Sequence, residues 1–261
     1  MILLSFDVEE FDMPTEYGKE LSFDKQVAIS AEGVKIILNL LKKHQAKATF
    51  FCTANFAIHA EILIKQIVAD GHEIASHSYY HSCFKPEHLR EAKDCLENIT
   101  GVPVNGFRMP RMMPVDEKII GQAGYIYNTS INPTFLPGRY NHLKTSRTYF
   151  YRENVLQIPA SVSPLLRIPL FWLSFHNMPV FIYKKLCKST YQKDSYLNLY
   201  FHPWEFTNLG PKEKYGFPRY VSRNSGDKMA KRMEQLIIWM TSSGYPFVTF
   251  NTFLHSKILH K

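Results

Sequence analysis

The 261-residue chain has few of the features that mark secreted or membrane-spanning proteins. Its four cysteines, Cys52, Cys83, Cys95 and Cys187, include no Cys-x-x-Cys pair and follow no disulfide-framework spacing. No apolar run is long enough to span a bilayer. The apolar opening, residues 1–4, is too short for a secretory signal and has no basic residues before it. We therefore expect reduced thiols and a cytoplasmic location.

The chain also lacks long blocks of one charge. It carries 31 Lys and Arg residues against 23 Asp and Glu residues, which gives a formal net charge of +8. The basic residues are spread along the chain, and no Lys/Arg run reaches the length that is typical of nucleic-acid binding. We therefore expect no nucleic-acid partner. The favoured interpretation of the charge is a well-solvated surface, and the alternative is attraction to an acidic polymer or a membrane face.

Short apolar runs alternate with amphipathic stretches along most of the chain. The predicted strands are residues 2–6, 47–52, 72–76, 104–107, 125–128, 155–159, 197–201 and 247–250. The predicted helices are residues 27–44, 56–69, 86–99, 115–123 and 227–242. Strands that alternate with helices favour an α/β fold with a parallel sheet. With seven to eight strands and no evident linker, we expect one distorted (β/α) barrel, a single catalytic domain over residues 1–261.

Polar clusters follow several of the predicted strands, and two of them suggest a metal site. His77 and His81 are four residues apart, so one helical turn would bring them to the same side. Two imidazoles and a carboxylate form a familiar ligand set for a divalent metal that keeps an open position. In an extended segment Asp7 and Glu9 point the same way, whereas Glu10, the alternative ligand, would face away. These acids could instead merely cap the next element.

Six motifs along the chain resemble those of one enzyme family, in the family's order. They are SFDVEEF, SHSYYH, GFRMP, GYIYNTSI, LQIPAS and YFHPWEF. The chain resembles the polysaccharide deacetylase (NodB homology) family, carbohydrate esterase family 4. More narrowly, it resembles the exopolysaccharide-locus branch with an Asp-Val-Glu-Asp-type first motif. The resemblance implies a NodB-like barrel that hydrolyses the N-acetyl group of an N-acetylated saccharide, such as a peptidoglycan or exopolysaccharide precursor, and releases acetate.

The resemblance implies a metal centre with an acid and a base beside it. Glu9, His77 and His81 would hold a divalent metal, with Zn²⁺ expected and Fe²⁺, Co²⁺ or Ni²⁺ also suited to these ligands. Asp7 would be the general base that takes a proton from the attacking water. His202 would be the general acid that protonates the leaving amine, since the free pKa of an imidazole lies near operating pH.

Further residues are implied to support this chemistry or to contact the substrate. Arg108 would hold Asp7 as a carboxylate through a charge-assisted hydrogen bond. Pro110 would stiffen the following turn. Arg111 stands where the family often has an aromatic residue whose backbone N–H helps to bind the oxyanion. Trp204 is expected to shape the sugar groove rather than pack in the core.

One position departs from the family pattern. Asn128 stands where the family commonly has an aspartate that supports the catalytic histidine, and an amide cannot stabilise an imidazolium as a carboxylate does. Another acid, such as Glu205, could compensate. Two alternatives therefore stay open: a deacylase or amidohydrolase of a non-sugar amide, and a carbohydrate-binding relative with weakened catalysis.

The segment 163–186 has no acidic residue and is rich in aromatics. The favoured interpretation is a core helix and a groove wall. The alternative is a membrane-facing patch that would let the enzyme reach a lipid-linked saccharide. Arg167, Pro169, Asn177 and Pro179 exclude a membrane-spanning helix in this segment. The sequence does not indicate an oligomeric state.

Overall fold

The structure is a computed structural model and describes residues 1–258. The strands are β1 (Ile2–Val8), β2 (Thr49–Cys52), β3 (Glu73–Ser76), β4 (Gly106–Phe107), β5 (Tyr127–Asn128), β6 (Phe135–Leu136), β7 (Tyr140–Asn141), β8 (Phe150–Arg152), β9 (Val155–Gln157) and β10 (Leu197–Phe201). The α-helices are α1 (Phe23–Lys43), α2 (Ala54–His59), α3 (Glu61–Ala69), α4 (Glu87–Thr100), α5 (Glu117–Gln122), α6 (Trp172–Asn177), α7 (Val180–Asp194), α8 (Lys212–Tyr215), α9 (Arg219–Ser222), α10 (Asp227–Ser242) and α11 (Phe250–Ile258). Short 3₁₀ turns cover Met13–Tyr17, Pro110–Met112 and Pro203–Phe206.

One curled sheet of eight strands organises the molecule, in the order β10-β1-β2-β3-β4-β5-β9-β8. Its neighbours pair in parallel except β8, which runs antiparallel to β9. Asn198 of β10 links the two sides of the curl. Its side-chain amide donates to the carbonyl oxygens of Ile158 and Pro159 at 3.0 and 3.1 Å, and its backbone carbonyl accepts from Ser161 at 2.9 Å. The result is a half-barrel that is nearly closed at this point.

The central strand β1 shows how the sequence builds this sheet. All seven residues of β1 are buried, as expected for a parallel strand that is covered on both faces. Ile2, Leu4 and Phe6 pack into the main hydrophobic cluster together with residues of helices α1 and α10. Since side chains alternate along a strand, the residues between them, including Ser5 and Asp7, point to the other face. That face is the inside of the curl.

Helix α1 lies unusually close to the turn that follows β10. A Cβ atom on Gly33 would lie only 2.0 Å from the carbonyl oxygen of Pro203. Glycine is therefore required for this approach of two backbones. The contact fixes the turn that carries His202.

The strand predicted at residues 247–250 is wrong. Phe247 makes only an isolated parallel bridge to Ile2, and Phe250 begins helix α11. The buried carboxylate of Glu73 accepts a hydrogen bond of 2.9 Å from the backbone N–H of the second residue of this helix. The Glu73 carboxylate thus satisfies one of the free N–H groups at the start of α11. This contact outweighs the preference of residues 247–250 for a strand.

The helix predicted at residues 56–69 is two helices, α2 and α3. Ala60 interrupts them with a non-helical backbone (φ −132°, ψ 35°). The segment 163–186 contains α6 and the first part of α7, which buries Tyr183 and Cys187 on its inner face, in agreement with a core helix. All four cysteines are free thiols. Among the described helices, none combines the length and the apolarity that crossing a bilayer requires.

Candidate active site

The carboxyl ends of strands β1, β3 and β10 lie at one mouth of the half-barrel. Asp7 is the second-last residue of β1. His77 directly follows β3, and His202 directly follows β10. All three side chains line a common cavity of about 320 Å³. In barrels of this kind, the loops after the strand ends carry the chemistry.

Glu9, His77 and His81 converge on one point at the wall of this cavity. Oε2 of Glu9 lies 3.2 Å from Nε2 of His77 and 3.0 Å from Nε2 of His81. The ligand atoms of the three residues all lie within 4.8 Å of one another, so they could hold a metal ion. All three side chains are almost completely buried.

The hydrogen bonds behind the two imidazoles define which nitrogen faces the cluster. Nδ1 of His77 lies 2.8 Å from the backbone oxygen of Arg108, and Nδ1 of His81 lies 2.7 Å from a carboxylate oxygen of Asp12. Both partners are acceptors, so each Nδ1 donates and each neutral imidazole turns the lone pair of Nε2 toward Glu9. Oε2 of Glu9 itself makes no hydrogen bond. Three acceptor atoms that face one another in a buried site fit a cation.

The electrostatics of the cluster agree with this arrangement. Burial by itself would raise the pKa of Glu9, but once the Nε2 atoms of the histidines are protonated, the charge of His81 and hydrogen bonds from both histidines lower it well below its usual range. Burial disfavours the charged form of His81, but Glu9 and Asp12 outweigh this and raise its pKa to about 10. A positive charge between these carboxylates is therefore strongly favoured, whether a proton or a metal ion supplies it.

Two further acids, Glu10 of the first motif and Asp12 just after it, lie near the cluster. The alternative ligand Glu10 faces away from the cluster and accepts hydrogen bonds from the side chains of Thr53 and Asn55. Asp12, which the sequence argument missed, binds His81 and the hydroxyl of Ser82. The only signal for Asp12 in the sequence is its closeness to the first acidic cluster.

Asp7 is held by a buried guanidinium. Nη1 of Arg108 donates to Oδ1 of Asp7 at 2.5 Å, and Nη2 donates to the hydroxyl of Ser5 at 3.0 Å. Arg108 is wholly buried, and its guanidinium lies 4.0 Å from the centre of the Phe51 ring. The guanidinium therefore fixes the orientation of the Asp7 side chain and places a buried positive charge beside it.

His202 is held by a carboxylate three residues away. Nδ1 of His202 lies 2.9 Å from Oε1 of Glu205, which also accepts the His202 backbone N–H at 2.6 Å. The other oxygen of Glu205 lies 2.9 Å from Nε2 of His176, and both of these side chains are completely buried. Glu205 was expected from the sequence as a substitute acid. His176 was not expected, because a single histidine in an apolar segment does not indicate a functional role.

These contacts determine the charge of the pair. Burial raises the pKa of Glu205, but hydrogen bonds from His176 and His202 outweigh it and lower the pKa below its usual value. Burial lowers the pKa of His202, but its hydrogen bond to Glu205, together with Glu9 and Asp7, outweighs this and raises the pKa. His202 therefore keeps its proton to a higher pH than a free imidazole.

Two tryptophans lie against His202. Trp204 is only 1% exposed, packs against Phe11 and stacks on His202 with a ring separation of 4.9 Å. Its indole N–H lies 3.4 Å from Oε1 of Glu9. Trp172 crosses the His202 ring almost at right angles and lines the cavity. The expectation that Trp204 shapes a groove rather than packing in the core is therefore only partly correct, since Trp204 does both.

Asn128 lies outside the cavity as far as the described residues show. It is 2% exposed, donates to Gln157 at 2.8 Å and accepts from Ser130 at 2.5 Å. Gln157 and Ser130 engage both ends of its amide, and a role of Asn128 in substrate binding stays a prediction. Glu205 lies next to His202, where the family commonly has the aspartate of the motif that contains Asn128.

Arg111 lines the cavity in a strained backbone conformation. Arg111 and Met112 both have positive φ, 56° and 52°. Such a conformation is costly in residues other than glycine and often persists at functional sites. The Arg111 side chain lies 3.1 Å from Glu16 and 3.6 Å from Asp12. Pro110, which begins this turn, is buried and is not among the residues that line the cavity.

Comparisons with known proteins point to one class. Residues 19–125 match the family model described as polysaccharide deacetylase. YlxY, an uncharacterised protein of Bacillus subtilis, is 35% identical over 97 residues, which cover 34% of this chain and 30% of that protein. The peptidoglycan-N-acetylmuramic acid deacetylase PdaA of the same organism is 33% identical over 63 residues, 24% of each chain. The matched regions thus span less than a third of these relatives.

A solved structure extends the likeness in fold to most of the chain. A probable polysaccharide deacetylase from Pseudomonas aeruginosa PAO1 matches with a TM-score of 0.67 and 17% identity, over 96% of this chain and 88% of that one. The predicted α/β fold with a NodB-like distorted barrel is confirmed. The likeness to the polysaccharide deacetylase family thus rests on residues 19–125, less than half of the chain, and on a shared fold over most of it. Its place in the exopolysaccharide-locus branch stays a prediction.

Proposed function

We propose that the protein is a metal-dependent deacetylase that removes the N-acetyl group from an N-acetylated saccharide and releases acetate. The observation that carries the proposal is the convergence of Glu9, His77 and His81 beside two further groups, Asp7 and His202, in one cavity. In this proposal, residues 1–261 act as one catalytic domain. A peptidoglycan or exopolysaccharide precursor is the substrate class that we expect.

Glu9 and the Nε2 atoms of His77 and His81 would hold the metal, for which Zn²⁺ is the expected ion and Fe²⁺, Co²⁺ and Ni²⁺ also suit the ligands. When bound, such an ion polarises the acetamide carbonyl and makes water more acidic. Asp12 and the Arg108 carbonyl fix the two imidazole orientations. This support orients the ligands before binding.

The proton transfers would be divided between the two sides of the cavity. Asp7 accepts the proton of the attacking water, since the buried guanidinium of Arg108 holds its carboxyl group in a fixed orientation. His202 lies on the opposite side of the cavity from Asp7 and gives its proton to the nitrogen of the leaving amine. Glu205 stabilises the imidazolium, so that the proton is available when the C–N bond breaks.

The cavity suits a sugar ring. Tyr17, Tyr140, Trp172 and Tyr220 line it, and Arg139 adds a cationic group. Flat aromatic faces pack on the apolar faces of sugar rings, while the polar groups satisfy hydroxyls. These features support a saccharide substrate over a small nitrogenous amide.

The test is release of acetate from N-acetylglucosamine oligosaccharides by the Zn²⁺-loaded protein. We expect Asp7→Asn to lower kcat by at least about 10²-fold, the contribution typical of a general base. The exposed Glu20→Gln serves as the matched control and should leave kcat unchanged. Equal rates for wild type and Asp7→Asn would contradict the proposal. Turnover only of non-sugar amides would favour an amidohydrolase, and glycan binding without turnover would favour a weakened relative.

A further inference from the structure

The net charge of the chain comes almost entirely from one stretch. Residues 118–193 contain ten Lys and Arg residues and a single acidic residue, Glu153. The rest of the chain contains 21 basic and 22 acidic residues, so it is nearly neutral. The basic residues are spread evenly, as the sequence suggested, but the acidic ones are not. This stretch has the charge to attract an anionic partner.

An ordered turn within this stretch presents two leucines to solvent. Leu165 is 92% exposed and Leu166 is 78% exposed. The backbone N–H of Ser163 donates to Ile168 at 2.9 Å, and the backbone N–H of Arg167 donates to Ser163 at 3.1 Å. Arg167 has a φ of 51°, which is strained for a residue with a side chain. Two leucines exposed on an ordered, strained turn do not contribute to the hydrophobic core. Their exposure therefore indicates a binding surface.

The turn is tied to a second loop that also exposes apolar side chains. The guanidinium of Arg167 donates to the backbone oxygens of Pro133 and Thr145 at 2.9 and 2.8 Å. Between these two anchor points, Phe135 is 53% exposed and Leu143 is 46% exposed. We call the four exposed side chains Phe135, Leu143, Leu165 and Leu166 the apolar rim.

The loop that carries Phe135 and Leu143 also reaches the cavity and carries positive charge. Arg139 and Lys144 are exposed on the same loop as Phe135 and Leu143, between residues 118 and 152, where no acidic residue occurs. Arg139 and Tyr140 of this loop line the cavity. Apolar and cationic side chains are therefore mixed at the entrance to the candidate site.

We propose that the apolar rim, with Arg139 and Lys144, docks the protein on a membrane that contains anionic phospholipid, so that the cavity mouth faces the bilayer surface. Cationic groups are attracted by the negative lipid headgroups, and exposed leucine and phenylalanine side chains insert at the headgroup boundary. A soluble polyanion would use the charges but leave the apolar rim in water. Docking would bring the cavity to a saccharide that is held at a membrane surface.

The test is flotation with vesicles of phosphatidylcholine, with or without phosphatidylglycerol, in the absence of any substrate. Its outcome therefore does not depend on the proposed deacetylase activity. We expect the wild type to float with the anionic vesicles at low salt and to float poorly with the neutral ones. The double variant Leu165→Ser/Leu166→Ser should bind the anionic vesicles at least about tenfold more weakly. Arg139→Glu/Lys144→Glu should weaken binding in the same direction.

The matched control is Ile62→Ser, which removes an 88% exposed side chain on α3, outside the rim. It should leave vesicle binding unchanged, and circular dichroism should show that all variants are folded. Failure of the wild type to float, or an equal loss in Ile62→Ser, would overturn the proposal. The double-leucine variant could also float as well as the wild type and lose this binding when salt is added. That result would mean that charge alone drives binding, as it would for a soluble polyanion, and it would overturn the proposal as well.

Discussion

His202 and Asp7 face each other across one cavity, and each is held by a buried partner of opposite charge. Arg108 lies beside Asp7, and Glu205 lies beside His202 and raises its pKa. In the proposed mechanism, these opposite charges would suit Asp7 to the role of base and His202 to that of acid. His176 belongs to the same network because it binds the second oxygen of Glu205. In our account His176 is a positioning residue that acts through Glu205.

The first prediction at this scale concerns pH. Since Glu205 raises the pKa of His202, the imidazolium persists to a higher pH, and activity that needs this proton is lost only as pH rises through the raised value. In Glu205→Gln the neutral amide no longer stabilises the charge, so the alkaline limb of kcat/KM should move to lower pH. The measurement is the pH profile of acetate release.

His176 variants control this experiment. His176→Ala should move the alkaline limb in the same direction as Glu205→Gln, because Glu205 loses a hydrogen bond. His176→Gln, whose amide N–H can donate to Glu205, should restore most of the profile. An alkaline limb that stays in place in both Glu205→Gln and His176→Ala would show that Glu205 does not govern the proton of His202.

At the scale of elements, the alternation of apolar runs with amphipathic stretches was sufficient to predict most strands of the sheet. It also predicted where the polar side chains would meet, because parallel strands bring their carboxyl ends to one edge. The structure brings Glu9, His77 and His81 together there, while their roles stay predictions. The break at Ala60 was missed because no Gly or Pro marks it, and the start of α11 was missed because it depends on the buried Glu73. The contact between His176 and Glu205 joins residues 29 positions apart, a distance that no local pattern reports.

The close contact of α1 with the Pro203 turn gives a prediction for this scale. In Gly33→Ala the new methyl group would overlap the Pro203 backbone, so α1 or the turn must move. We expect a loss of about 1–3 kcal/mol in the free energy of unfolding, the range typical of overpacking. Acetate release should fall further than the loss of folded protein explains, because the turn carries His202. Urea denaturation and initial rates measure the two effects.

The control for this variant lies on the same helix. Asn39→Ala changes an exposed position of α1 and should leave stability within about 0.5 kcal/mol of the wild type. If Gly33→Ala were as stable and as active as Asn39→Ala, the turn would not depend on the close approach of the two backbones.

At the scale of the whole molecule, the half-barrel gathers its chemistry at one mouth. The candidate metal ligands, Asp7, His202 and the aromatic walls all border one cavity. The loop that carries Phe135 and Leu143 of the apolar rim contributes Arg139 and Tyr140 to the lining of this cavity. Chemistry and docking would therefore share one face, and an anionic surface would draw the cavity toward it.

Metal uptake tests the central claim most directly. The metal-free protein is titrated with Zn²⁺ in a calorimeter, and the loaded protein is analysed for its metal content. We predict one ion per chain in the wild type, in Asp7→Asn and in Glu10→Gln, whose carboxylate faces away from the cluster. The double variant His77→Ala/His81→Ala should bind none at this site. A wild type that takes up no ion, or a double variant that takes up as much as the wild type, would contradict the account.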